Sequence, residues 1–443
     1  MNAGSVVTTG PAHSRTRTLA FTSLGHFMND GMVFFIPVVA DILAKSHGAS
    51  AVLVTAILTV FYVASAGFGL LVGRVADSLG RRGLMIAFGL LILSLGLLGF
   101  YLSLAATAGV GSDILALAAA LVAGIGSSFY HPLGGSVIQL AFSAESRGKA
   151  LGVNGAFGSL GRALYPSLFF IVAALAISKA NTVIIFAAFG ILSAAVIAYG
   201  IGSLSRAKPA PAKASGNAGH DDATTATKDG TGDGTSGNSK GNAQTIRSML
   251  TKSVVALTAI AFIRSMAFIG IVSWVPIYLT TQKHLGLSSQ LGYTVTIMFA
   301  GGIVGQPVFG QLADRFDKRI VLALNSLGSA LTILTYISFS GAGALISLIF
   351  FGFFTFSGFP LLLSLVSDYV PRRSTTTGNA LVWGLGSTGG QALGPLVVGL
   401  LTFGSYSHLS TAFIIMAGLA AATVLATPLM AKTDSRVKMP LFG

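Results

Sequence analysis

The sequence predicts an all-α membrane protein with twelve transmembrane helices in two pseudo-symmetric six-helix bundles. Three observations carry this expectation. The 443 residues are 53% hydrophobic and only 9% charged, whereas a soluble domain carries about 25% charged residues and a disordered chain is poor in apolar ones. Apolar stretches long enough to cross a bilayer recur twelve times, each close to the ~20 residues a span needs. The second half of the chain repeats loop motifs and prolines of the first.

The stretches run at about 19–43, 51–73, 83–106, 113–142, 148–174, 181–204, 253–280, 288–312, 319–340, 343–369, 376–403 and 409–431. Helices are expected because strands of a membrane barrel are short and alternate apolar with polar. A helix also satisfies its own backbone, as hydrocarbon demands. Residues 1–18 read as a polar tail with Arg15 and Arg17. The stretch after them is too long for a signal peptide and lacks a small-residue cleavage site, so it reads as the first span. The first bundle is expected at 19–204 and the second at 253–431, with a short tail at 432–443. Between the bundles, 205–252 opens on Lys208-Pro209-Ala210-Pro211. It continues as a Gly/Ser/Thr/Asp/Asn/Lys mixture, which buries no core and reads as a flexible linker.

Charge placement fixes the expected orientation. With the N-terminus inside, 22 of the 27 Lys and Arg fall on inside segments. Lys45, Lys179 and Lys283 fall outside, and Arg162 and Arg264 lie within spans. Positive residues concentrate on cytoplasmic loops, so both termini are expected in the cytoplasm of an inner-membrane protein. The same asymmetry accounts for the net charge of +14 without a nucleic-acid partner. No cysteine is present and only one Glu, which leaves no thiolate nucleophile, disulfide or cysteine metal site. No phosphate-binding G-x-x-x-x-G-K-[ST] loop occurs. No cofactor or metal is expected, and no enzyme activity.

The repeat is specific. Gly73-Arg74-Val75-Ala76-Asp77-Ser78-Leu79-Gly80-Arg81-Arg82 follows span two, and Gly310-Gln311-Leu312-Ala313-Asp314-Arg315-Phe316-Asp317-Lys318-Arg319 follows span eight. Pro37 pairs with Pro276, Pro132 with Pro360 and Pro166 with Pro395. Parallel halves of this kind mark one class of secondary transporter. The two loops resemble the signature of the major facilitator superfamily. The resemblance implies two bundles rocking about a central cavity. It gives Gly73, Asp77, Arg81, Gly310, Asp314 and Arg315 the part of a conformational latch, in which carboxylates beside helix N-termini hold one side shut. Asp317 stands where that signature usually has Gly. Segments 23–30 (Ser-Leu-Gly-His-Phe-Met-Asn-Asp) and 124–132 (Gly-Ile-Gly-Ser-Ser-Phe-Tyr-His-Pro) resemble the fosmidomycin-resistance family of exporters. That likeness implies drug efflux driven by a proton gradient. The chain departs at Gly161-Arg162-Ala163-Leu164-Tyr165-Pro166, where such exporters carry a small residue before Gly-Pro.

Ionisable residues inside a bilayer are costly and point to function. The deep set is His26 and Asp30 in span one, His131 in span four, Arg162 in span five and Arg264 in span seven, with Asp30 the only acid expected near mid-depth. His26 and Asp30 are four apart and share a helix face with Asn29 beside them. Asp30, His131 and His26 are expected to carry the coupling proton, since burial moves such groups into the range a proton gradient can load. Arg162 and Arg264, two guanidiniums against one carboxylate, are expected to leave net positive charge that attracts a carboxylate, phosphate or phosphonate. Asn154, Gln391, Tyr130, Tyr165 and Trp383 are the further candidates for the substrate path.

The expected function is proton-coupled secondary transport of a small anionic organic molecule, by export in antiport with protons. Uptake by proton–organic-anion symport is the alternative. A receptor or sensor on a transporter fold is a second one. The partners expected are the small molecule, protons and the lipid bilayer, for a chain acting as a monomer.

Overall fold

The computed structural model describes residues 12–175, 178–202, 250–370, 378 and 380–433. The linker up to 249, the extreme tails and the 371–377 segment lie outside the described residues. The first half contains α1 (Ala12–His47), α2 (Ala51–Leu79), α3 (Arg82–Ala105), α4 (Val110–Ser127), α5 (Tyr130–Ala141), α6 (Ala144–Ala174) and α7 (Lys179–Ile201). The second contains α8 (Lys252–Thr281), α9 (Ser289–Arg315), α10 (Lys318–Ser338), α11 (Gly341–Tyr369), α12 (Gly389–Leu401) and α13 (Leu409–Ala422).

Eleven helical passages among the described residues are long and apolar enough to cross a membrane. The twelfth is the eleventh in chain order. It is split into a π-helical turn at Ala380–Thr388 and α12, so the expected twelve crossings are present. Span four is also two helices, α4 and α5. The ladder breaks at Ser128 and Phe129, which places Pro132 in the first turn of α5, where a missing N–H costs nothing. The first helix starts at Ala12, ahead of the expected boundary at 19.

Ends are set locally. Ser50, Ser178 and Thr251 cap α2, α7 and α8 by accepting from the backbone N–H three residues on. Gly80 ends α2 at φ 62°, a left-handed turn that suits glycine. The equivalent turn after α9 is built differently. Phe316 is extended, and Asp317 (φ −56°) caps α10 by accepting from the Arg319 N–H. The aspartate in place of glycine therefore changes the turn rather than straining it.

The two halves share a packing plan. A Cβ on Gly124 would strike the Phe61 carbonyl across the α2–α4 crossing, and one on Gly352 would strike the Met298 carbonyl across the α9–α11 crossing. These pairs are related by the same offsets that relate Gly73 to Gly310 and Pro132 to Pro360. Small residues there let backbones touch, which is how helices associate where lipid removes the hydrophobic drive. Large apolar side chains such as Phe88, Leu192, Leu331 and Leu400 point outward, as a lipid-facing surface requires.

Call the end bearing Arg81, Arg82, Arg315, Lys318 and Arg319 the basic face, and the other the far face. Among the described residues, every hydrogen bond between the halves lies at or beyond mid-depth toward the far face. The pairs are Thr280 with Asp41, Tyr406 with the Ala49 carbonyl, Ser273 with Tyr62, and Thr296 with Ser167 and the Ala163 carbonyl. The structure is closed on the far face.

Candidate functional site

At mid-depth of the first half, α1, α5 and α6 meet around one carboxylate. Asp30 is 1% exposed. Its Oδ2 accepts from Arg162 Nη1 at 2.6 Å and lies 3.4 Å from His26 Nε2. Its Oδ1 accepts from Asn29 at 3.1 Å and lies 3.4 Å from His131 Nε2. A carboxylate offers about four acceptor directions, and here four nitrogens face them. That is how a charge can stay buried.

Three of these groups follow from helix geometry, since His26, Asn29 and Asp30 lie on adjoining positions of α1. The fold brings the others. Gly158 leaves room for the His26 ring, and Gly161 lets α6 lie against the Phe27 carbonyl, which draws Arg162 to Asp30. Ser159 accepts from Arg162 Nη2 at 2.8 Å. The break between α4 and α5 turns Tyr130 inward and leaves the His131 side chain 61% exposed, so the cluster reaches the protein surface through His131.

The hydrogens can be assigned in part. His26 Nδ1 faces the Asn154 carbonyl at 2.9 Å and Asn154 Oδ1 at 3.0 Å. A carbonyl oxygen only accepts, so Nδ1 carries a hydrogen. Nε2 then faces the Asp30 carboxylate bare in a neutral ring. Tyr130 supports the arrangement from below. Its ring stacks on His26 at 4.7 Å, its hydroxyl donates to the Thr22 carbonyl, and Asn154 Nδ2 donates back to it. Tyr165 lies one layer away, with its ring against Gly31 and its hydroxyl on Met28 Sδ.

His26, Asp30 and His131 also bring three potential metal-ligand atoms within 4.8 Å of one another. The Arg162 guanidinium on the same carboxylate opposes a second cation there. The donor set fits a proton better than a metal.

The second half treats its arginine otherwise. Arg264 is 1% exposed. Nη2 donates to Asn325 Oδ1 and to the Thr355 carbonyl at 3.0 Å, and the guanidinium lies 5.1 Å from the Phe268 ring centre. No carboxylate lies within 4 Å of it among the described residues, and its Nε is buried without a partner. Gly358 packs against the guanidinium, so the group is enclosed. Phe34 of α1 meets Phe299 of α9 and Phe356 of α11 edge to face, those two rings tilt against each other, and Arg162 lies over Phe34 and Phe356. Phe356 is the neighbour of Thr355, so this aromatic seam stands between the two arginines.

Two guanidiniums are expected against one carboxylate, and the structure pairs that carboxylate with Arg162. Arg162 is neutralised by Asp30, and Arg264 is enclosed on the other side of the seam. Gln391 donates to Ser387, which pairs with Ser265, and Trp383 lies in the π-helical turn. Both belong to the second half. The Asp77 side chain lies outside the described residues. Arg81 and Arg315 are exposed, and Gly73 lies on α2. Gly310 and Asp314 border a groove with Gln311, Leu361 and Ser364. Asp317, Lys318 and Arg319 of the second loop are tied within their own half. Asp317 pairs with Arg319, Lys318 with Asp368 at 2.6 Å, and Arg319 Nη1 donates to the Met430 carbonyl. The sequence reading missed Asn325 and the fully buried Asp41. Each is a polar residue inside a predicted span, and that signal was available.

Comparison with known proteins agrees with this architecture. A family model described as Major Facilitator Superfamily matches residues 19–390 and again 288–440. The chain is 31% identical over 147 residues to the human glucose-6-phosphate exchanger SLC37A1, covering 30% of this chain and 27% of the relative. It is 31% identical over 157 residues to the multidrug resistance protein MdtG of Salmonella typhi, covering 32% and 35%. The matches thus span well under half the length of these curated relatives. The solved structure of a D-xylose-proton symporter superposes with a TM-score of 0.71 at 16% identity, covering 95% of this chain and 99% of that one. Twelve crossings in two repeated halves, the paired loop motifs and the family match lead to one conclusion: the chain belongs to the Major Facilitator Superfamily.

Proposed function

We propose that this protein is a proton-coupled secondary transporter of a small organic anion, worked from the Asp30–Arg162 pair. The observation that carries the reading is the direct contact of Arg162 with Asp30 at 2.6 Å, beside two imidazoles and reaching the protein surface through His131. Ionised Asp30 occupies the guanidinium. Protonated Asp30 releases it, and a carboxylate, phosphate or phosphonate can take its place in the bidentate geometry a guanidinium favours. Proton and anion then bind together, and by linkage each raises affinity for the other. His26 and His131 relay the proton from that surface. Asn29, Asn154, Tyr130 and Tyr165 line or support the place the anion would take.

With the basic face in the cytoplasm of the inner membrane, as the charge asymmetry supports, the structure is closed on the outer side, and rocking of the halves gives alternating access. Co-binding supports symport. The glucose-6-phosphate exchanger among the relatives is consistent with a phosphate-bearing cargo. Export by proton antiport is the second reading, favoured by the multidrug relative and by the likeness of segments 23–30 and 124–132 to the fosmidomycin-resistance exporters. It requires that proton binding expel the cargo. Among the described residues no paired carboxylates favour an enzyme reading, and the family's members point to transport.

The test is binding to purified protein of small phosphorylated and carboxylated compounds, glucose 6-phosphate included, across pH. Affinity that rises as pH falls, with proton uptake on binding, supports co-binding. Proton release on binding supports antiport. Absence of binding by every anion in the set, with neutral or cationic compounds bound instead, overturns the anion reading.

A further inference from the structure

A second buried carboxyl lies outside the machinery just described. Asp41 stands on α1 eleven residues beyond Asp30, roughly 16 Å nearer the far face at 1.5 Å per residue. Its exposure is 0%, and Val38, Val39, Ala40, Ile42 and Leu43 around it in sequence are equally buried. Its only hydrogen-bond partner among the described residues is Thr280 of α8, on the opposite half. Its Oδ2 is buried with no partner at all.

The hydrogens decide its form. Thr280 Oγ1 has one hydrogen and two acceptors in reach, Asp41 Oδ1 and the Ile277 carbonyl at 3.1 Å. If Asp41 is ionised, one of those contacts goes unmet and a bare carboxylate oxygen faces apolar walls. If Asp41 carries a hydrogen on Oδ1, it donates to Thr280 Oγ1, and the threonine hydrogen goes to Ile277. Oδ2 is then an uncharged carbonyl oxygen, the cheapest group to leave unpaired.

No cation replaces that proton. Among the described residues no Lys, Arg or His nitrogen lies within 4 Å of Asp41. Lys45 is one turn on and exposed. The Tyr406 hydroxyl donates to the Ala49 carbonyl at 2.6 Å, Lys283 donates to the carbonyls of Ile337 and Phe339, and His47 Nε2 faces the Ala106 carbonyl. Asp30 differs, since Arg162 pairs with it directly.

We propose that Asp41 is a second proton-binding site, which holds its proton while the halves are closed on the far face and gives it up when they part. Thr280 belongs to the other half, so separation removes the partner and admits water. The carboxyl then ionises and its proton leaves to solvent on the far side. Closing the far face takes up one proton. By linkage the closed-to-open ratio falls by up to tenfold per unit rise in pH, over the range where the open form is ionised and the closed form is not. The inference does not depend on Asp30 being the coupling group.

The chain has no native cysteine, so Val52→Cys and Ser405→Cys place spin labels on either side of the far seam. Val52 is 66% exposed there, and the residue before Ser405, Gly404, faces it. Distances are measured by pulsed electron resonance from mildly acidic to mildly alkaline pH. The parent is expected to gain a long-distance population as pH rises. Asp41→Asn, which mimics the protonated form, is expected to stay short at every pH. Asp41→Ser carries the same expectation of a pH-independent distance, should the amide variant not fold. Asp30→Asn is expected to keep the parent's response. A pH curve in Asp41→Asn or Asp41→Ser that matches the parent's overturns the proposal. So does a parent that never responds, or a response that vanishes only with Asp30→Asn.

Discussion

Each half of the molecule holds an arginine at mid-depth, and the two are treated in opposite ways. Arg162 meets a carboxylate with two histidines beside it and a path to the protein surface. Arg264 meets an amide, a backbone carbonyl and a phenyl ring, and is closed off. A charge whose partner titrates can be switched by a proton. A charge held by neutral oxygens cannot, and it serves to tie α8 to α10 and α11. Chemistry and bracing are thus divided between halves that share one packing plan.

The largest expected effect tests the switching half. Asp30→Asn should abolish accumulation driven by an imposed pH gradient in proteoliposomes, leaving equilibration at most. Retained accumulation would break the comparison. Next is Arg162→Ala, which leaves Asp30 buried without its cation. The expected cost is about 3–5 kcal/mol of stability, read as a lowered thermal midpoint. Adding Asp30→Asn to it should recover most of that loss, while anion binding stays absent. Arg264→Met removes two hydrogen bonds to neutral groups and keeps the volume filled. It should cost only about 1–3 kcal/mol, with anion affinity within about threefold of the parent, a difference of under about 1 kcal/mol. Affinity lost as completely as in Arg162→Ala would put Arg264 back at the cargo site and erase the difference between the halves.

The smallest effect sharpens the contrast at the loops. Burial works against the charge of Asp317, but hydrogen bonds from Arg319 and Thr433 outweigh it and hold the carboxyl down at about 2. A carboxyl depressed in the folded state contributes stability above its unfolded value, and that contribution is lost as pH falls through the folded one. Asp317→Asn should therefore lower the thermal midpoint at neutral pH by the equivalent of about 1 kcal/mol, since the site is near water. The difference should vanish as pH approaches 2.

Much of this was legible beforehand. Span count, the repeat and the deep ionisable residues follow from composition and period, because hydrocarbon forces apolar runs of fixed length and penalises each charge. The pairing within α1 was legible too, since residues four apart share a helix face. What was missed depends on helix rotation. Nothing in the sequence said that α6 would turn Arg162 onto Asp30, or that α8 would turn Arg264 toward Asn325. Asp41 lies near the end of the first predicted span, and its burial depends on α8 lying over it.

The sequence by itself determined that the chain spans a membrane twelve times in two related halves, and which few side chains bear charge inside it. Those outcomes depend on local composition, which each segment carries alone. The tertiary structure decided which charges meet, which are enclosed and which face of the protein is closed. Those outcomes depend on distances of a few ångströms between helices far apart in the chain, set by glycine contacts and helix rotations that no single segment specifies.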